Sequence, residues 1–166
     1  MSSPAQKTPA WKLLAVLVAA VAVLVTVLYF FLEWQKNRPV APVREVSVQV
    51  VNGAAESDIP VYTVCELDAQ CDGGQPPSMP RDDTAAVTVT VPREISSSSW
   101  KLLAVYDDPA ANAEQVFQSG ESTTAEVDAV VGDARLVVAE VSALAIDTKN
   151  DGEEIPVIAT WSVAFE

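Results

Sequence analysis

Leu13 to Leu32 (LLAVLVAAVAVLVTVLYFFL), twenty consecutive residues without a charge, restricts this chain more than any other feature. At about 1.5 Å rise per residue, a helix of that length spans roughly 30 Å, the thickness of a bilayer's hydrocarbon core. The run reads as one transmembrane helix over residues 13–32. It divides the chain into a polar, Pro-containing tail (1–12), the helix, a juxtamembrane linker (33–43) in which Pro39 and Pro42 favour extended chain, and a domain over residues 44–166.

A cleaved secretory signal normally has a shorter apolar region, about 7–15 residues, that ends in small residues at a cleavage site. Here Ala20 and Ala22 lie inside the run, and Pro39-Val40-Ala41 would require cleavage before Pro42. No cysteine closely follows the run, so a lipidated N-terminus is not supported, and an uncleaved signal-anchor is the better reading. Trp11 at one end and Tyr29 and Trp34 at the other suit the membrane interfaces. The flanking cations nearly tie, Lys7, Lys12 and the terminal amine against Lys36 and Arg38. The cysteine pair and the long acidic C-terminal part break the tie. They put the N-terminus in the cytoplasm and the domain outside a plasma membrane crossed once. Ala15 and Ala19 form a loose small-xxx-small spacing, and Thr26 is the one polar residue deep in the span. The span holds no charge that would mark an ion path, which argues against a pore or pump.

Net charge is −13, and residues 40–166 are more extreme: six basic side chains (Arg44, Arg81, Arg93, Lys101, Arg135, Lys149) stand against twenty-two acidic ones, a net of −16. Such a domain is repelled by phosphate backbones and anionic head groups, which excludes nucleic acid as a partner and argues against lying flat on a membrane. Histidine is absent. That removes the commonest general base, the commonest transition-metal ligand, and every Ser-His or Cys-His nucleophile arrangement.

Val46, Val48 and Val50 alternate with polar residues and stop at Asn52-Gly53, the pattern of a strand and its turn. A second strand is expected over Ile59 to Val64, then loop through Gly73-Gly74 and Pro76, Pro77 and Pro80. Val87 to Val91 reads as a third strand. Trp100 to Tyr106 reads as a central strand covered on both sides, with Trp100 as core anchor. A helical turn over Ala110 to Glu114, a weak strand over Gln115 to Gln118 and another over Thr123 to Ala129 follow. Arg135 to Ile146 fits either a helix face (Val137, Val141, Leu144) or a strand, and its valines favour the strand. Val157, Ala159, Trp161, Val163 and Phe165 alternate cleanly in a last one. Seven or eight short strands with turn signals indicate an all-β fold, an antiparallel immunoglobulin-like β-sandwich preceded by the single helix. The two distant cysteines of an antibody domain are missing.

Cys65 and Cys71 (CELDAQC) lack the partners for a zinc site and the C-x-x-C form of thiol oxidoreductases, so they read as a local disulfide. Asp147-Thr148-Lys149-Asn150-Asp151-Gly152-Glu153-Glu154 has acids and a glycine where a calcium loop has them, but Lys149 stands at a ligand place, which favours a plain hairpin turn. Asp107-Asp108 and Asp82-Asp83 offer adjacent carboxylates of the kind glycosidases use, but neighbours on a strand point apart and solvated loop acids are the simpler reading. Ser96 to Ser99 lack a base and read as loop. No catalytic, cofactor-binding or metal residue is assigned and no cofactor is expected; Cys65 and Cys71 are the one assigned pair.

The block from Trp100 through Tyr106-Asp107-Asp108-Pro109-Ala110-Ala111-Asn112, the cysteine pair after Val61-Tyr62-Thr63-Val64, and the terminal Thr160-Trp161-Ser162-Val163 together carry a resemblance. Over roughly residues 45–165 the chain resembles an actinobacterial, mainly corynebacterial, family of single-span or lipid-anchored cell-envelope proteins catalogued as a domain of unknown function. The resemblance implies an envelope location and brings no catalytic residues with it. The expectation is a non-enzymatic, membrane-anchored extracytoplasmic domain that contacts an envelope protein or wall component. The alternatives are a domain binding a solute or divalent cation and, behind it, a carboxylate-only enzyme, which would need two acids about 5–9.5 Å apart in one cleft.

Overall fold

The computed structural model describes residues 10–36, 41–67, 69, 71, 73–149 and 152–166. Residues 1–9 of the tail, residues 37–40 of the linker, and Asp68, Gln70, Asp72, Asn150 and Asp151 lie outside the described residues. The apolar run forms helix α1 (Ala10–Lys36). Its stretch from Leu14 to Trp34 has a mean hydropathy of 2.8, and none of it is buried by protein. A helix that is apolar all round and uncovered suits lipid, not water. The Thr26 hydroxyl donates to the Ala22 carbonyl at 2.8 Å, so the lone polar group is satisfied within the helix.

A separate compact unit runs from Ala41 to Glu166. Its elements in chain order are β1 (Ser47–Asn52), β2 (Ala55–Pro60), β3 (Thr63–Glu66), β4 (Ser78–Met79), β5 (Ala86–Thr90), a helical turn α2 (Arg93–Ser96), β6 (Trp100–Tyr106), β7 (Ala113–Phe117), β8 (Thr124–Asp128), β9 (Val130–Val131), β10 (Ala134–Thr148) and β11 (Glu154–Phe165). Short 3-10 turns at Val43–Glu45 and Pro109–Ala111 precede β1 and β7. One sheet has the order β2-β1-β5-β8; the other has β3-β11-β10-β6-β7, with β4 beside β11 and β9 beside β10. All the pairings are antiparallel except that of β4 with β11. The orders β1-β5-β8 and β11-β10-β6-β7 are those of the first, second and fifth strands and of the last, sixth, third and adjoining strands of an immunoglobulin-type sandwich. The expected architecture is present.

Alternation builds the core. Val48 and Val50, Val87 and Val89, and Ala125 and Val127 from one sheet, with Leu102, Ala104, Val141, Ala159 and Val163 from the other, belong to one buried cluster. Three aromatic polar groups are satisfied within it. Trp161 Nε1 donates to the Val46 carbonyl at 2.7 Å, Trp100 Nε1 to the Ser122 carbonyl at 3.1 Å, and the Tyr106 hydroxyl to the Asp128 carbonyl at 2.7 Å. Each ring thereby adds apolar area to the core and leaves no unpaired donor there. Trp100 also stacks on Phe117 of β7, with centroids 4.2 Å apart.

Several local expectations change. Ile59 to Val64 is not one strand: β2 ends at Pro60 in the first sheet and β3 starts at Thr63 in the second. Pro60 cannot donate to a ladder, and the Tyr62 N–H already bonds the Thr160 carbonyl of β11. The proline-rich segment is loop except for Ser78–Met79, which lies parallel to the end of β11. Ser96 is buried and closes α2 instead of belonging to a loop. The helical turn near Ala110 begins at Pro109 and ends at Ala111, and β7 starts two residues later. β6 is central in its sheet, but only one face is buried; Lys101, Leu103 and Val105 on the other are half-buried.

Candidate functional site

Each carboxylate or serine set raised by the sequence has a place in the structure, and most of those places are turns. After β6, Asp107 Oδ1 accepts from the Arg135 N–H at 2.8 Å and Asp108 Oδ1 accepts from the Ala110 N–H at 2.9 Å. Asp108 caps the 3-10 turn; Asp107 fixes the start of β10. With Ala110, Ala111, Val131 and Asp133 they line a shallow depression of about 430 Å3.

Asp82 accepts at one oxygen, Oδ1, from the Thr84 hydroxyl at 2.6 Å and the Thr84 N–H at 2.9 Å. Those two bonds, the hydroxyl's first, hold its carboxyl below the ordinary carboxylate value. Its main chain is clasped by Asn52, which accepts from the Asp82 N–H and donates to the Asp82 carbonyl. Asn52 is buried at the end of β1, so this exchange pins the β1–β2 hairpin to the loop before β5. The turn itself needs Gly53, whose φ is +60° and whose missing side chain leaves room for the Asp82 carboxylate. Asp83 bridges Arg81 at 2.9 Å and Arg135 at 3.5 Å. Ser97 donates to the Glu94 carbonyl and Ser119 donates to the Ser97 carbonyl, so the serine run serves the α2 turn.

The larger depression, about 560 Å3, lies at the far end of β10 and is lined by Arg44, Val64, Glu66, Asp147, Thr148, Lys149, Ile155 and Val157. Arg44 donates through Nε and Nη2 to Asp147 Oδ2 at 3.0 and 2.8 Å. The Asp147 side chain is 11% exposed and its partner's 63%, so the acid is the more desolvated member. Lys149 pairs with Glu66 of β3 at 3.1 Å. The calcium-like positions Asp147 and Lys149 are therefore tied into ion pairs. The Lys149 N–H bonds the Glu153 carbonyl and the Gly152 N–H bonds the Lys149 carbonyl, as a hairpin requires. Asn150 and Asp151 of that stretch lie outside the described residues. Among the described residues, no group of three or more His, Cys, Asp or Glu side chains is placed to hold a metal ion.

Cys65 and Cys71 are joined in a disulfide with Cα atoms 5.8 Å apart. Cys65 lies on β3 opposite Ile158, and the loop beyond it is anchored where the Tyr62 hydroxyl donates to the Gly74 carbonyl. A side chain on Gly73 would strike the Tyr62 ring.

A family model described as "Protein of unknown function (DUF2771)" matches residues 41–166, the whole compact unit. The chain belongs to the DUF2771 family. No curated protein and no solved structure matches it. The resemblance read from Trp100 to Asn112, the cysteine pair and the final strand thus lies within the DUF2771 region. Two features of this DUF2771 domain escaped the sequence. The Arg44–Asp147 pair spans 103 residues, and no local pattern signals it. The Asn52 clasp does have a signal: an Asn-Gly pair closes a hairpin whose asparagine is left free to bond elsewhere.

Proposed function

We propose that this chain is a membrane-anchored accessory protein of the cell envelope, with α1 crossing the plasma membrane once, its N-terminus cytoplasmic, and the sandwich outside, contacting an envelope protein or wall component instead of catalysing a reaction. The observation that carries this reading is the uncovered apolar stretch from Leu14 to Trp34 followed by a disulfide-bonded β domain. A stable disulfide suits an oxidising compartment. The binding role is supported by the fate of the carboxylates: the adjacent pairs Asp107-Asp108 and Asp82-Asp83 cap turns or pair with arginine, and the sequence offers no histidine to work with them.

The test is twofold. A reporter active only in the cytoplasm, fused after Glu166, stays silent, and the protein remains in the membrane fraction after an alkaline wash with its N-terminal residues intact. Crosslinking in intact cells recovers one reproducible membrane or wall partner. An active reporter reverses the topology; repeated recovery of none removes the contact role.

A further inference from the structure

The ion pairs described above are closed by internal partners, whereas among the described residues nothing covers the outward face at the far end of the β10–β11 ribbon. The last β6 partner of β10 is Trp100, opposite Ala143. From Leu144 to Thr148, β10 pairs with β11 alone among the described residues; β3 still flanks β11 at Ile158 and Val157, so the two strands overhang the sheet from Ile146 and Pro156 outward. On the outward face of this overhang and its base, Leu144 and Ile146 are 58% and 59% exposed, and Ile158, opposite Leu144 and beside Cys65 of β3, is 39% exposed. Pro156, opposite Ile146, is exposed as well. Nearer the middle of the ribbon the same face carries Glu140, Ser142, Thr160 and Ser162. Leu144, Ile146 and Ile158 thus form an exposed apolar row at the ribbon's end, apart from the exposed Val116 at the β7 edge of the same face, and adjoining exposed apolar side chains mark a contact surface.

Where the chain enters the domain says what that surface meets. The Val46 carbonyl is held by Trp161, opposite Val141, and Arg44 is held by Asp147. Followed backwards from β1, the chain therefore runs along β10 towards the overhang. Ala41, where the compact unit begins, is five chain steps from Lys36 at the end of α1, and five steps reach about 18 Å when fully extended. Asp147 and Glu66 are each paired with a cation, while Glu45, Glu153 and Glu154, all exposed at this end, disfavour an anionic surface and leave a neutral one.

We infer that the overhang and its base are a second membrane contact, with Leu144, Ile146 and Ile158 seated in the interfacial layer of the bilayer that holds α1 and with a preference for zwitterionic over anionic lipid. The inference rests on the anchored reading given above. The full chain, with its native disulfide intact, carries one added cysteine labelled with an environment-sensitive fluorophore, either Ile146→Cys or Val131→Cys. Val131 is exposed beside the opposite end of β10, roughly 40 Å away along the strand at about 3.3 Å per residue. In phosphatidylcholine vesicles at less than one copy each, the label at position 146 shifts to the blue and is quenched by nitroxide lipids, while that at 131 does neither. Replacing a third of the lipid with phosphatidylglycerol lessens the shift. Leu144→Cys substitutes if Ile146→Cys fails to fold. Vesicles that float with the protein while position 146 behaves like 131 overturn the contact and leave the anchor standing; failure to float removes the anchor and the contact with it. A shift that nitroxide lipids do not quench means that a second copy or another protein covers the row, and overturns the inference. A shift that grows with phosphatidylglycerol makes the contact electrostatic and does the same.

Discussion

The two faces of β10 both carry apolar residues and meet opposite surroundings. From Leu136 to Ala143 the strand lies between β6 and β11 and faces the other sheet, so Leu136, Ala139, Val141 and Ala143 are all buried. From Leu144 to Thr148 it has one neighbour, and Leu144 and Ile146 stand in the open. What differs is the face: Ala139, Val141 and Ala143 point at the other sheet, as the buried Asp147 further along still does, whereas Leu144 and Ile146 stand on the outward face, and alternation becomes burial only on the side where a facing sheet exists to receive it. Apolar residues exposed on the outward face contribute little to folding and are free to serve as a surface.

That contrast can be attacked directly. The largest loss is expected from Trp161→Ala, which empties the site opposite Val141 and leaves the Val46 carbonyl without its donor; large-to-small changes of this kind cost about 3–5 kcal/mol, read as the midpoint shift of urea unfolding followed by near-ultraviolet circular dichroism. Cys65→Ser acts at the base of the overhang through the unfolded chain and is expected to cost about 2.4 kcal/mol in the loop-entropy account, seen as a lower thermal midpoint; an unchanged midpoint would mean the bridge restrains nothing.

A smaller effect belongs to Tyr106, opposite the buried Leu136. Burial first, and the Asp128 charge second, raise its hydroxyl above the ordinary 10.0. Because the folded value lies above the unfolded one, its contribution is complete below pH 10 and fades as pH climbs through the raised value. Tyr106→Phe is expected to cost about 1 kcal/mol near neutrality and to flatten the alkaline fall in thermal midpoint; an equally steep fall in the variant would assign the alkaline loss to other groups. Least of all, Leu144→Ser should change stability by no more than about 0.5 kcal/mol. If it matches Trp161→Ala, the inward and outward faces of the β10–β11 ribbon do not differ as described.

The sequence disclosed what depends on near neighbours. Val48 and Val50, Val87 and Val89, and the run from Val157 to Phe165 announced strands because their alternation is unbroken, and the apolar helix announced itself by length. β10 was ambiguous for a physical reason. Its register slips between Leu136 and Val138, so inward positions pass from even numbers (Ala134, Leu136) to odd ones (Ala139, Val141, Ala143), and a strand with one extra residue mimics the spacing of a helix face. The division of Ile59 to Val64 between two sheets, and the pairing of Arg44 with Asp147, depend on β11 and β10, which lie about 100 residues away; no window of local pattern contains them. The carboxylates at Asp107 and Asp108 were recognisable as loop acids, but the amides they cap were not.

The position of β11 also orders events in time. Among the described residues, β3 and β4 are hydrogen-bonded to no strand except β11, and Cys65 on β3 faces Ile158, ninety-three residues further on. The bridge to Cys71 closes over six residues and can oxidise as soon as both thiols emerge. The six-residue closure of the crosslink thus has a low sequence separation and the pairing of its strand with β11 a high one, and the low-separation contact is the faster to close. The oxidised loop is an early commitment, and β11 is the late arrival that converts it into structure.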